Sequence, residues 1–455
     1  MNETRTTLTY LGVAAFLILA VFLTAPGKVT PNDFLDQNEP FFPDFTDPNT
    51  ATTLEVIDFD PETATARPFK VTFEQGKWII PSHNNFPADG KDRLAETAAG
   101  VIDIKKDDYR SANVADHEAL GVVDPLDDSV TSLAGRGKRV TVKDANDQVL
   151  ADLIIGGAVE GRDNLRFVRL PDQKRVYVSR VDIDISTRFE DWIERDLLQV
   201  ELDKIERVQL KDYSINETTG RLNQRDDVIL EKDGDTWGAN RMASTQEVAS
   251  DKMTDLLGAL DQLSIVGVRP KPEGLSRSLG RPDDLTISQA DMVSLRSKGY
   301  YFAQTGQLVS NEGELEVRDG DGVIYTLRFG EIVYGTGESV SAGNESSDDS
   351  ESGPGENRYL FITTTFDAAR LPEPGRAANT DFLDKEEVDW TDADRRNKQL
   401  QDDYEKWETS VTVGRDRAEE LNARFADWYY VISSESFDKI NVTRSDLVRR
   451  KQTEQ

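Results

Sequence analysis

The feature that most constrains this chain is a match of the sequence to itself. Trp78, Leu94 and the pair Leu120-Gly121 recur as Trp237, Met253 and Leu279-Gly280, each displaced by 159 positions without a gap. Three coincidences at one offset mark a duplicated module, and any fold assigned to the chain has to be built twice.

The local pattern tells what that module is. Before each tryptophan lies an alternating hairpin: Phe69, Val71 and Phe73 turning at Gln75-Gly76, and Val228 and Leu230 turning at Asp233-Gly234. Alternation with period two is the signature of a half-buried strand, which makes Trp78 and Trp237 expected core residues. An amphipathic helix follows each hairpin, carried by Leu94, Ala98, Val101 and Ile102 in the first copy and by Met253, Leu256, Leu257, Leu260 and Leu263 in the second. Further strands recur beyond Leu-Gly: Val140 to Asp144 and Leu153 to Gly156 correspond to Leu315 to Asp319 and Tyr325 to Gly330. Leu165 to Leu170 with Val176-Tyr177-Val178 corresponds to Arg358 to Thr363. Arg188-Phe189-Glu190-Asp191-Trp192 then reads as a closing signature mirrored by Arg424-Phe425-Ala426-Asp427-Trp428. The expected fold class is α+β, an antiparallel sheet with a covering helix, in two tandem repeats over 53–203 and 204–443.

The second repeat carries two insertions. Residues 337–357 hold Glu338, Glu345, Asp348, Asp349, Glu351 and Glu356 among serines and glycines, a composition that buries no apolar area and reads as a mobile acidic loop. Residues 392–423 read as a charged helix or helix pair with Leu400, Tyr404, Trp407 and Val411 on one face. A C-terminal tail, 444–455, closes the chain.

At the amino end no residue from Thr6 to Pro26 is charged, and the run through Phe16, Leu17, Ile18, Leu19, Val21, Phe22 and Leu23 is long enough for a helix to cross a bilayer. Residues 1–26 are the expected transmembrane anchor, retained because Leu23-Thr24-Ala25-Pro26 makes a poor cleavage site. Arg5 and the terminal amine before the span, with only Lys28 against Asp33, Asp36, Glu39, Asp44 and Asp47 beyond it, put the N-terminus in the cytoplasm and the body on the periplasmic side. Residues 27–52, with Pro26, Pro31, Pro40, Pro43 and Pro48 in and beside them, read as an extended stalk, although Phe34, Phe41, Phe42 and Phe45 offer an edge for docking.

A formal charge of -31 repels phosphate backbones, so nucleic acid is excluded as a partner. The absence of cysteine removes disulfides, thiolate metal sites and lipidated cysteine together. Two histidines remain, His83 and His117, and their counterparts at the 159 offset are Met242 and Ser276, so the second copy cannot repeat a histidine site. Asp58 with Asp60, and Asp124 with Asp127 and Asp128, are the nearest approach to an acid and base pair, but the second group reads as a polar turn. Gly135-Arg136-Gly137-Lys138 lacks the spacing of a phosphate loop, and the acidic insertion lacks the Asp-x-Asp-x-Asp-Gly spacing of a calcium loop. No catalytic, cofactor-binding or metal-binding residue is assigned.

Gly76-Lys77-Trp78-Ile79-Ile80, Pro87-Ala88-Asp89 opening a helix, Leu120 to Pro125, Leu153 to Gly157 and Val176-Tyr177-Val178 together resemble a bacterial family catalogued only as a domain of unknown function. Its members are membrane-anchored envelope proteins encoded beside ABC-type transport systems of the gliding-motility kind. The resemblance covers most of Thr53 to Ile205 and the second copy more weakly. It implies a non-catalytic auxiliary component, for binding or scaffolding, held to the membrane by its N-terminal helix and partnered by an ABC-type permease and associated envelope proteins. A carboxylate-dependent envelope polysaccharide hydrolase and a structural envelope protein are the alternatives.

Overall fold

A computed structural model of the chain describes residues 12–16 and 36–451, apart from 62–63, 184, 217–218, 220, 280–286, 304–305, 336–337 and 343–355. It forms two compact units, residues 1–192 and 193–455. The expected anchor, 1–26, lies outside the described residues except for a helical stretch at 12–16. Among the described residues no helix is long and apolar enough to cross a membrane.

The first unit is a nine-stranded sheet. Its strands in chain order are β1 (Thr53–Asp60), β2 (Thr65–Glu74), β3 (Lys77–Ile80), β4 (Phe86–Pro87), β5 (Asp108–Ser111), β6 (Lys138–Lys143), β7 (Val149–Val159), β8 (Arg162–Arg169) and β9 (Val176–Arg180). They are arranged β4-β3-β2-β1-β6-β7-β8-β9-β5, with every neighbouring pair antiparallel. Helix α1 (Lys91–Ile102) follows β4 and buries Leu94, Thr97, Ala98 and Val101, residues spaced three and four apart on one face. A short helix, α2 (His117–Leu120), ends at Gly121, whose φ of +71° is a left-handed cap that glycine takes at little steric cost.

The second unit contains β10 (Ile205–Asn216), β11 (Arg221–Asp233), β12 (Thr236–Ala239), β13 (Gln246–Val248), β14 (Ile265–Pro270), β15 (Tyr300–Phe302), β16 (Leu308–Ser310), β17 (Glu314–Asp319), β18 (Val323–Val333), β19 (Asn357–Phe366), β20 (Trp428–Ile432) and β21 (Val448–Arg450). Eight of them form one antiparallel sheet in the order β12-β11-β10-β17-β18-β19-β20-β14, while β13 pairs β21 and β15 pairs β16. Its helices are α3 (Ser250–Asp261), α4 (Glu273–Leu279), α5 (Gln289–Arg296), α6 (Glu338–Ser341), α7 (Asp392–Ala426), α8 (Ser434–Ile440) and α9 (Arg444–Leu447).

With the two-residue β4 set aside, the strands of both sheets follow the same succession. The hairpin turns agree in detail. Asp144 accepts the backbone N–H groups of Asn146 and Gln148, and Asp319 accepts those of Asp321 and Val323, the same turn made two and four residues on.

Several expectations change. The counterpart of β9 is β20 and not part of β19, because α7 is inserted between β19 and β20, where the first unit has only a short connection. Arg188 to Trp192 and Arg424 to Trp428 are therefore not equivalent: the first stretch follows β9, whereas the second ends α7 and starts β20. The segment that follows β20 is α8, where Phe437 packs on Phe329 at 5.1 Å. Trp78 and Trp237 are half-buried, and the fully buried tryptophan is Trp192, packed on Phe69 at 5.9 Å.

The 392–423 insertion lies within one helix of 35 residues, α7, starting at a capping box between Thr391 and Asp394. Its C-terminal part sits on β19. Asn422 accepts the backbone N–H of Thr364 at 2.8 Å, and the Thr364 hydroxyl donates to the Ala418 carbonyl at 2.7 Å. Gly414 permits this approach, since a Cβ there would lie 2.5 Å from the Asp321 carbonyl oxygen. Of the acidic loop, 338–341 form α6 with Val340 and Ala342 buried, and 343–355 lie outside the described residues. The expected tail is structured to Lys451: α9 buries Leu447, and β21 pairs with β13.

The stalk is also corrected, because residues 36–52 are docked on the first unit. The Asn38 N–H donates to the Lys106 carbonyl at 2.9 Å and the Lys106 N–H to the Glu39 carbonyl at 3.0 Å. Phe41 and Phe45 are buried, Phe41 meets Tyr177 edge-on at 5.4 Å, and the Tyr177 hydroxyl donates to Asp36 at 2.6 Å. Proline-rich composition forbids regular structure but not burial of phenylalanine rings. Phe34 lies outside the described residues. Replacing Phe41 with alanine is expected to cost about 3 kcal/mol and to free this segment. Limited proteolysis should then cut within residues 36–50 of the variant first, and equal resistance in parent and variant would contradict the docking.

Candidate functional site

The residues singled out in the sequence are placed apart and tied into the scaffold. His83 is buried and stacks on Phe189 at 4.6 Å, with the Ser82 hydroxyl 2.9 Å from its Nδ1. His117 is buried at the start of α2, where its Nε2 lies 2.9 Å from the Lys174 carbonyl oxygen. Asp58 faces Lys138 at 3.5 Å, Asp60 pairs with Arg67, and Asp124 pairs with Arg139 at 3.0 Å. Asp127 takes the Ser129 hydroxyl and N–H, which hold its carboxyl below the usual range, and Asp128 is exposed on the same turn.

Arg136 of the Gly-Arg-Gly-Lys stretch organises that turn. Its guanidinium donates to the carbonyls of Asp124 at 3.0 Å, Pro125 at 3.2 Å, Asp127 at 3.1 Å and Val130 at 2.7 Å. A planar fork that satisfies four carbonyls fixes a loop and leaves little for a ligand.

The charged groups that sequence reading passed over lie in the second unit, on the face of the sheet formed by alternate residues of β10, β17 and β18. Glu314 is buried, with Lys211 at 2.8 Å and Arg328 at 3.2 Å, and Lys211 also reaches Glu316. Burial pulls the Lys211 ammonium down, but Glu314 and Glu316 outweigh it and hold the group above its ordinary value. Burial, with Glu314 nearby, pushes the Tyr213 hydroxyl up to about 12. Beside this network a cleft of about 240 Å³ is lined by Lys211, Asp212, Arg225, Asp226, Glu312 and Arg444. Its walls are already cross-linked, since Arg444 binds Asp226 at 2.9 Å and the Asn240 carbonyl at 2.7 Å. Glu314 and Glu316 at period two carried a signal, but Arg328 joins them only through the register of β17 with β18.

Lys271 is the most perturbed amine. It follows β14, is buried, donates from Nζ to the Phe425 carbonyl at 2.9 Å, and lies 4.0 Å from the centre of the Phe361 ring. Burial drives its pKa down to about 7, opposed by Asp427. Around it Leu275, Leu295, Tyr300, Phe361 and Tyr429 make one apolar cluster, and the rings of Tyr300 and Tyr429 stack at 6.0 Å. A lysine with this pKa has the reactivity of a nucleophile or base. Here its ammonium closes the C-terminal end of α7, where carbonyls lack intrahelical donors, and ring faces surround it. Among the described residues no group of three or more His, Cys, Asp or Glu side chains is placed to hold a metal ion.

A family model for a domain of unknown function (DUF4340) matches residues 78–278. The match starts at Trp78 in β3 and ends within α4, so it takes in parts of both units. No curated protein and no solved structure matches the chain.

Lys271 gives the second unit a pH dependence of defined sign. Below about 7 the ammonium is charged in folded and unfolded chains alike, and the folded state carries the full cost of burying it. Between that value and the ordinary 10.5 the unfolded chain binds more protons, so stability rises with pH. Lys271→Met should flatten that rise. Urea midpoints measured between about pH 7 and 9 test this, and parallel curves for parent and variant would remove Lys271 as the source.

Proposed function

We propose that this chain is a non-catalytic, envelope-tethered binding or scaffolding component of an ABC-type transport system, built from two copies of one module. The observation that carries this reading is the shared strand succession of the two sheets, with His117, Asp124 and Arg136 engaged in holding the scaffold. A duplicated frame whose conspicuous side chains are occupied structurally suits the presentation of surfaces to partners better than turnover of a substrate. The uncharged run ahead of Pro26 supports tethering, and the acid-rich segment beyond it supports a body on the periplasmic side. The match to a domain of unknown function agrees with the resemblance from which the auxiliary role and the permease partner are taken.

Docking of residues 36–52 on the first unit adds a mechanical element. With that stretch held down, the first unit is tied in sequence closer to the uncharged run than a free 27–52 segment would leave it, which favours a partner in the same membrane.

Cross-linking in intact cells, followed by purification of the full-length chain in neutral detergent, should recover a multispanning permease. Protease added to intact spheroplasts should digest the body of the protein. Recovery of the chain alone in repeated cross-linked preparations removes the permease partner, and protection of the body until lysis reverses the topology.

A further inference from the structure

The second sheet contains a like-charge contact that its own register creates. Arg207 on β10 lies directly opposite Arg318 on β17. Cross-strand partners of the same sign repel, and sheets ordinarily avoid them. A bulge between Ile205 and Arg207 produces the arrangement: continued regularly from the Ile205–Asp319 pair, the ladder would set Glu206 against Arg318. The bulge keeps Val208 on Val317 in the core, and Glu206, no longer opposite Arg318, reaches it only at 3.9 Å.

Arg370, from the turn after β19, brings a third guanidinium to the same cavity, whose volume is about 110 Å³. Gln209, Glu316, Ile324 and Asp367 line the rest of it. Both carboxylates are already engaged: Glu316 by Lys211, and Asp367 by the Ala369 N–H and, within the cavity, by Arg370 at 3.3 Å. Arg207 is held by Glu231 at 2.7 Å and Gln209 at 3.1 Å.

Arg318 is left short. Its side chain is 13% exposed, its nearest carboxylate is Glu206 at 3.9 Å, and its buried Nε finds no hydrogen-bond partner among the described residues. A mostly buried guanidinium normally fills its donors with carboxylate, phosphate or carbonyl oxygens.

The first unit serves as an internal comparison. The residue ahead of its turn aspartate is Lys143, which faces the neutral Thr53 and has Glu55 at 3.7 Å. One cation with one carboxylate stands where the second unit sets two arginines face to face.

We propose that Arg207, Arg318 and Arg370 form a binding site for a small tetrahedral oxyanion, phosphate or sulfate, free or carried as a substituent on a larger ligand. The anion relieves the repulsion between Arg207 and Arg318 and offers acceptor oxygens to the Arg318 guanidinium, whose one neighbouring carboxylate, Glu206, stands 3.9 Å away. The cavity is smaller than the roughly 300–1,000 Å³ of drug-sized ligand sites, so only the charged group enters it. This site does not depend on the transport role proposed above.

The test is calorimetric titration of the full-length chain in neutral detergent, at fixed ionic strength over chloride, with inorganic phosphate, sulfate and glycerol 3-phosphate. Saturable binding of phosphate or sulfate is expected, weakened about tenfold or more by Arg318→Gln and by Arg370→Gln. Lys143→Gln in the first unit should leave it unchanged. Removing one of two repelling charges should not unfold the sheet, so Arg318→Gln is expected to melt no lower than the parent in chloride and to lose the upward shift that phosphate gives the parent. Binding of the ester as tightly as the free ions identifies a substituent as ligand, and binding of the free ions alone identifies the ion itself. No saturable binding up to about 10 mM, or undiminished affinity in Arg318→Gln, overturns the site.

Discussion

Each unit depends on the pairing of two central strands whose alternate side chains are withdrawn from water. Leu54 and Val56 of β1 lie opposite Val142 and Val140 of β6, all fully buried. Val208 and Leu210 of β10 lie opposite Val317 and Leu315 of β17, also buried. Because side chains alternate with period two, a slip of one residue would turn all of these outward together and bring the charged set in. At roughly 25 cal/mol per Å² of apolar surface the penalty is prohibitive, so register is fixed wherever this stripe exists. The turn aspartates, Asp144 and Asp319, then close the adjacent hairpins in the same way.

Fixing one face leaves the other free to vary. In the first unit it carries pairs that cancel: Lys143 with Glu55, and Arg139 with Asp152 and Asp124. In the second unit the same surface carries the Lys211, Glu314 and Arg328 network at one position and the facing arginines at another. The two sheets thus share the apolar stripe, which stability requires, and differ on the polar face.

The insertions of the second unit follow the same logic, since they enter at connections and leave the strand order intact. The long helix α7 is fastened to β19 by the Asn422 and Thr364 hydrogen bonds, and its open C-terminal end is closed by Lys271. A buried amine costs free energy, and here it is offset by the end of a helix, by Asp427 and by the face of Phe361. The segment between β14 and β17 adds Leu275, Leu295 and Tyr300 to the cluster that Phe361 of β19 and Tyr429 of β20 complete.

What the residues by themselves determined is whatever a period or a single turn can express. Strands ahead of Trp78 and Trp237, helices with Leu94 and Met253 inward, and the turns at Gln75-Gly76 and Asp233-Gly234 were all legible, because each depends on neighbours a few positions away. Tertiary structure alone decided that β20 takes the place of β9 across the whole of α7, that the chain from Asp36 onward lies against Lys106 and Tyr177, and that Val448 to Arg450 return to pair with Gln246 to Val248. It also decided which charges meet. The approach of Arg207 to Arg318 is set by one bulged residue in a pairing of strands more than a hundred positions apart, and no local pattern of hydrophobicity or charge encodes that shift.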